Sequence, residues 1–392
     1  MNACRAPGRR SPAASWALAC VAVSLLASRP AVAHQQSATF GSVAFAANGA
    51  SAVWRLRVRA TDLLTVAPLA AEPSAEPWRL RAIAYLAGGL RIEAAGAPCP
   101  AGAVDLALAT DETEPTWVFT KTFQCAVRGG PVRLRYDLFF ERDRFHQSFT
   151  LLPAPEATPA GPAAGAATTV FRDDLREIAV SAGGGPSAWQ NARTYLRLGV
   201  LHILTGFDHL AFLFALLLGA ALAGPESAGG PARPASWRQA LRDTLALVSA
   251  FTAAHSLTLI LQALRPGYLS TRWVEPAIAF SVAYVGIENL IQRRHPRRWL
   301  LVFGFGLVHG LGFASVLREV GLPGRGLVLS LLAFNLGVEA GQLLVLSLVF
   351  PLIMEAARRW PRAFQRWGLQ LGSALIAAAG MVWLVARLIL PR

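Results

Sequence analysis

The chain has 392 residues, of which 54% are hydrophobic and only 15% charged, and its mean hydropathy is +0.42. That balance excludes an ordinary soluble globular domain and points to several membrane spans. The formal charge of +14 is almost all arginine, but the arginines fall in short loops between apolar runs rather than among aromatics on a polar face, which argues against nucleic acid as a partner.

The first element reads as a targeting segment. Arg5, Arg9 and Arg10 precede SWALACVAVSLLA, an apolar core too short for a standard span, and residues 31–33 are AVA, an A-x-A cleavage signal. Residues 1–33 are therefore expected to leave as a signal peptide, with Cys4 and Cys20. Cys99 and Cys125 remain in a segment exported to an oxidising compartment, and a disulfide between them is expected.

Residues 34–190 alternate in the manner of strands. VWRLRVRA, AVDLALAT, TWVFTKTFQCAV and VRLRYDLFF are short runs separated by Gly, Pro and Ala clusters, which predicts a small all-β sandwich, antiparallel, with His146 on a strand. ATPAGPAAGAA and SAGGGPSA read as linkers, the second marking the boundary with a membrane domain over 191–392. Six apolar runs follow, near 196–223, 244–264, 274–291, 299–320, 327–350 and 367–390, so the fold expected is a polytopic α-helical membrane protein of about six spans. With the sandwich outside, the loops 224–243, 292–298 and 351–366 fall on the cytoplasmic side of the inner membrane. These carry the arginine excess: Arg293, Arg294, Arg297 and Arg298 lie in the second alone.

The apolar runs are interrupted by ionisable groups. HILTGFDHL places His202, Asp208 and His209 in the first, and His255, His309 and Glu339 lie about halfway along the second, fourth and fifth. Glu288 is nearer the cytoplasmic end of the third, and Glu275 is expected at an interface. Such groups are costly in a bilayer and default to function. Imidazole with carboxylate suits a borderline divalent ion such as nickel, cobalt, zinc or copper. In a regular helix His202 and His209 share a face but stand roughly 10.5 Å apart. The spacing thus predicts two stations, His202 at the entrance and Asp208 with His209 in a central site completed by His255 and His309, although Gly206 leaves room for a kink. Asn335, Glu339 and Gln342 share a face and predict a polar wall. The glycines of FGFGLVHGLG predict close helix approach around His309.

At these residues the sequence resembles the HupE/UreJ family, membrane proteins associated with hydrogenase and urease and regarded as nickel or cobalt permeases. The resemblance rests on His202, Gly206, Asp208 and His209, on His255 in AAHSLTL, on Glu288-Asn289, and on His309-Gly310 in FGLVHGLGFA. It is closest to a second, divergent branch with an exported N-terminal domain. It departs from the better-known branch at Ile203, where that branch has proline, and after His309-Gly310, where that branch repeats a histidine. The resemblance implies a divalent metal permease; on the residues themselves, His202, Asp208, His209, His255 and His309 are read as metal residues, and Glu288, Asn335, Glu339 and Gln342 as lining the path. It also implies the lipid bilayer, the metal ion and metallo-enzyme maturation proteins as partners. Two other readings of the same residues are an intramembrane zinc-dependent hydrolase, with Asp208 or Glu339 as base, and a membrane sensor whose sandwich captures a ligand.

Overall fold

The computed structural model describes residues 37–46, 50–67, 76–109, 115–125, 132–152, 167–180, 188–221, 236–264, 271–291, 297–319 and 324–389. The expected signal peptide and His34 lie outside the described residues.

The N-terminal part is β-rich. Among the described residues, ten strands, β1 (Ala38–Phe45), β2 (Ser51–Arg59), β3 (Leu90–Ala94), β4 (Ala97–Pro98), β5 (Ala101–Leu108), β6 (Thr116–Gln124), β7 (Val132–Tyr136), β8 (Gln147–Leu152), β9 (Ala167–Phe171) and β10 (Glu177–Val180), form a six-stranded sheet in the order β5-β6-β2-β1-β8-β9 and a four-stranded sheet in the order β10-β7-β3-β4. The alternation of apolar residue and arginine explains the layers. In β2 (Ser51–Arg59), Trp54, Leu56 and Val58 are buried, and in β7 (Val132–Tyr136), Val132, Leu134 and Tyr136 are. Both sets enter one core between the sheets. Cys99 follows β4 (Ala97–Pro98) in one sheet and Cys125 follows β6 (Thr116–Gln124) in the other, and a disulfide joins them.

The region departs from an antiparallel all-β sandwich in two ways. β1 and β8 (Gln147–Leu152) pair in parallel. Two helices, α1 (Ala60–Val66) and α2 (Glu76–Gly89), intervene between β2 and β3. In α2, Trp78, Ala82 and Leu86 recur four apart and fill the same core. Lys121, the chain's sole lysine, donates to Ala87 O (2.6 Å) and Leu90 O (2.7 Å), satisfying carbonyls where α2 ends. His146 is not on a strand: it precedes β8 and is wholly buried, its ring bonded to Ser37 Oγ and to Tyr136 Oη (2.9 Å).

The rest is helical: α3 (Ala188–Thr205), α4 (Phe207–Ala220), α5 (Trp237–Leu264), α6 (Thr271–Leu290), α7 (Arg298–Glu319) and α8 (Gly324–Arg359). The short α9 (Pro361–Ala363) runs through π-helical turns (Phe364–Leu371) into α10 (Gly372–Ile389). Every apolar run read from the sequence falls on one of these helices or on the α3–α4 pair. Among the described residues, three helices are long and apolar enough to cross a membrane: Trp237–Gln262, Leu329–Arg359 and Pro361–Ile389. A fourth is added if the segments Trp189–Thr205 and Phe207–Ala220, bent by 68°, count as one span.

Glycines set the closest helix pairs. A Cβ on Gly199 of α3 would stand 2.0 Å from Phe334 O of α8, and one on Gly337 of α8 would stand 2.0 Å from Leu196 O. The two backbones meet there, as only glycine permits. The β-rich region seats on the same pair: Phe40 and Phe149 stack (5.7 Å) in a buried cluster with Tyr195 and Leu198 of α3 and Phe334 of α8.

Candidate metal centre

The centre begins at a helix break. The segments α3 and α4 meet at Gly206, and the 68° bend folds the end of one back over the start of the next. His202 and His209, which a straight helix would separate, have ring centroids 4.7 Å apart. The two-station expectation is thereby corrected: His202 is a member of the central cluster. His255 of α5 lies 6.3 Å from each of these rings, and the three histidines bring one ligand atom apiece to within 4.8 Å of one another.

His309 of α7 is drawn in by close packing. Cβ atoms on Gly306 and Gly310 would meet Phe251 O at 2.5 Å and His255 O at 2.7 Å, so α7 rides directly on α5. The His309 ring is then 5.0 Å from that of His209. Phe251, Phe212 and Phe334 wall the cluster with their rings. A small cavity beside His209 is lined chiefly by apolar residues, with Gln342 as its other polar group.

The hydrogen bonding around the rings is asymmetric. His255 Nδ1 faces Asn335 Oδ1 (3.4 Å) and His309 Nε2 faces Ser281 Oγ (2.8 Å). Among the described residues, the other ring nitrogens of these two, and Nε2 of His209, are buried without a hydrogen-bond partner. Buried polar atoms are nearly always bonded, and an imidazole nitrogen that keeps its lone pair is what a metal ion takes.

The carboxylates have partners outside the ring cluster, while Asp208 Oδ1 is buried with no hydrogen-bond partner among the described residues. Asp208 stands beside His209 in sequence, but its Oδ2 accepts from Arg387 Nη2 (2.7 Å). Arg387 also donates to Glu275 O (2.8 Å) and approaches the Glu275 carboxylate (3.9 Å). Glu275 is thus buried against α10. Glu339 accepts from Ser249 (3.4 Å) and Gln342 from Thr252 (2.8 Å). Of the expected polar wall, Asn335 touches a histidine ring and Gln342 lines the adjoining cavity. Glu288 is bound to Arg298 (3.1 Å), and Asn289 donates to Ala215 O (2.7 Å). That pair forms a separate latch.

A family model described as HupE / UreJ protein matches residues 177–387. The chain belongs to the HupE/UreJ family. The match spans all four clustered histidines and Arg387, and leaves most of the β-rich region outside. No curated protein matches the chain. Two residues in contact with the candidate site of this HupE/UreJ protein escaped the sequence reading. Ser281 carries no charge and resembles any helix serine. Arg387, in VWLVARLIL, was legible as a charge in an apolar run, but its distance of 179 residues from Asp208 hid the pairing.

Proposed function

We propose that this HupE/UreJ protein is a membrane permease for a divalent transition metal ion, nickel or cobalt, and not an enzyme. The observation that carries the reading is the convergence of His202, His209 and His255, with His309 alongside, inside an apolar helix bundle. Neutral imidazoles suit nickel, cobalt, zinc and copper, whereas magnesium and calcium prefer a cage of oxygens. A site of neutral donors also leaves the ion's charge largely uncompensated, which favours release as well as capture.

In this reading all six apolar runs lie in the bilayer of the inner membrane. The β-rich region faces the extracytoplasmic side, and the arginine-rich loops face the cytoplasm. The ion enters near the α3–α8 junction, under the β-rich region, is held by the histidines, and leaves toward the Glu288–Arg298 latch. The family's association with nickel and cobalt supports the choice of ion.

The test is uptake into proteoliposomes of purified full-length protein, with Ni²⁺, Co²⁺ and Zn²⁺ offered separately. The reading expects saturable uptake of nickel or cobalt that His209→Ala abolishes. Uptake no greater than in empty liposomes for every ion would overturn it.

A further inference from the structure

Each clustered histidine must present a lone pair, so something must decide which of its nitrogens carries the proton. The hydrogen bonds around His309 answer this for one ring. The Ser281 hydroxyl has one proton, and Ile278 O (2.7 Å), within its own helix, can only accept it. With its proton on Ile278 O, the hydroxyl presents a lone pair to His309 Nε2, at 2.8 Å, and that pairing calls for Nε2–H as the donor. The lone pair of His309 then resides on Nδ1, the buried nitrogen without a hydrogen-bond partner among the described residues. Ser281 is itself wholly buried, so no bulk water competes for either bond.

His255 is set in the opposite sense. The Asn335 amide nitrogen donates to Leu331 O (3.0 Å), which turns its oxygen toward His255 Nδ1 (3.4 Å). An amide oxygen only accepts, so Nδ1 carries the proton and Nε2 keeps the lone pair. Again the nitrogen left with a lone pair is the buried one without a partner.

We infer that Ser281 and Asn335 are positioning residues of the metal centre, each locking one histidine in the tautomer that offers its free nitrogen to the ion. Outer partners of this kind orient a ligand ring and raise its basicity. Both locks are neutral, so the rings cannot hand their protons to a carboxylate. This inference rests on the metal-binding reading, and its test separates the two.

The first measurement is made without metal. Full-length protein carrying ¹⁵N-histidine in detergent is compared with His309→Gln to assign the ring signals. His309 is expected to be protonated at Nε2 in the unsubstituted protein, and to lose that uniform state in Ser281→Ala. The second is a Co²⁺ titration. Ser281→Ala should weaken binding by roughly 10–100-fold, the usual cost of a lost outer partner. Ser281→Thr, which keeps the hydroxyl, should restore it. Asn335→Leu should behave like Ser281→Ala, and Asn335→Asp, which keeps an acceptor oxygen, should bind better than Asn335→Leu. A His309 protonated at Nδ1, or Ser281→Ala binding Co²⁺ as the parent does, overturns the inference. If the unsubstituted protein binds no Co²⁺ while His309 shows the Nε2–H form, the permease reading fails and the tautomer assignment stands.

Discussion

Asp208 and His209 are neighbours in the chain with different surroundings. The Asp208 carboxylate neutralises Arg387, whose side chain is only 5% exposed. Asp208→Asn therefore strands a buried guanidinium against the more distant Glu275. It is expected to cost about 3 kcal/mol of stability, as broken buried pairs do. His209→Ala should instead abolish Co²⁺ binding with a smaller loss of stability. Thermal denaturation and Co²⁺ titration of both variants check this; an Asp208→Asn protein that is fully stable yet binds nothing would make Asp208 a ligand. His146 offers a second residue-scale test. Burial pushes its pKa down from 6.5 to about 3. The native state thus holds fewer protons there than the unfolded chain, so its contribution to stability is present above pH 6.5 and is lost as pH falls toward 3. Between pH 6.5 and 5 the loss should be about 2 kcal/mol, at roughly 1.4 kcal/mol per unit. Hydrogen exchange of β1 and β8, corrected for its intrinsic pH dependence, should show protection falling with acid, and His146→Gln should flatten that slope.

The break at Gly206 is the element on which the centre depends. The two histidines of HILTGFDHL are seven positions apart, and only a bend brings their rings to 4.7 Å. A Cβ at position 206 would stand 2.6 Å from His202 O and 2.9 Å from His209 Nδ1, so Gly206→Ala must displace one of them. Co²⁺ affinity is expected to drop on the order of tenfold or more, comparable with a disturbed outer partner, while α5 and α8 keep their packing. A titration alongside Gly304→Ala makes the comparison, since a Cβ at position 304 meets nothing within 4 Å. Equal affinities for the two variants would mean that the bend is not what assembles the site. The existence of the helix was legible in its apolar run, and the glycine was visible as a candidate kink. The size and direction of the bend were not, because they depend on what packs against both segments.

At the scale of the whole molecule, the β-rich region is stapled and then seated on the helices. The disulfide spans a sequence separation of 26 residues. Closing a loop of that length in the unfolded chain is worth roughly 3.5 kcal/mol in the entropy model. Reduction, or a Cys99→Ser/Cys125→Ser double variant, should lower the melting temperature of this region by about 10 °C. Helix signals above that transition should be unchanged, which calorimetry of the full-length protein with and without reductant would show. The orientation proposed for the molecule has its own test. A cysteine placed at His295 should resist an impermeant thiol reagent in intact cells, whereas one within residues 265–270 should react; labelling at position 295 would invert the topology.

What the sequence determined by itself was local: apolar runs long enough to be helices, alternation that makes strands, arginine-bearing loops, and the motifs of the HupE/UreJ family. Each is a property of neighbouring residues and needs no knowledge of what lies opposite. The four histidines were legible too, because an imidazole in an apolar run has few reasons to be there. What only the tertiary structure decided was partnership. Asp208 Oδ2 pairs with Arg387, the same arginine reaches Glu275, and His202 joins the central rings where the helix bends. Ser281 and Asn335 became part of the site through contacts 28 and 80 residues away in the chain. Hydrogen bonds and ion pairs act over about 3 Å, and which groups come within that distance is fixed by helix packing, much of it through glycines whose importance lies in the atoms they leave out.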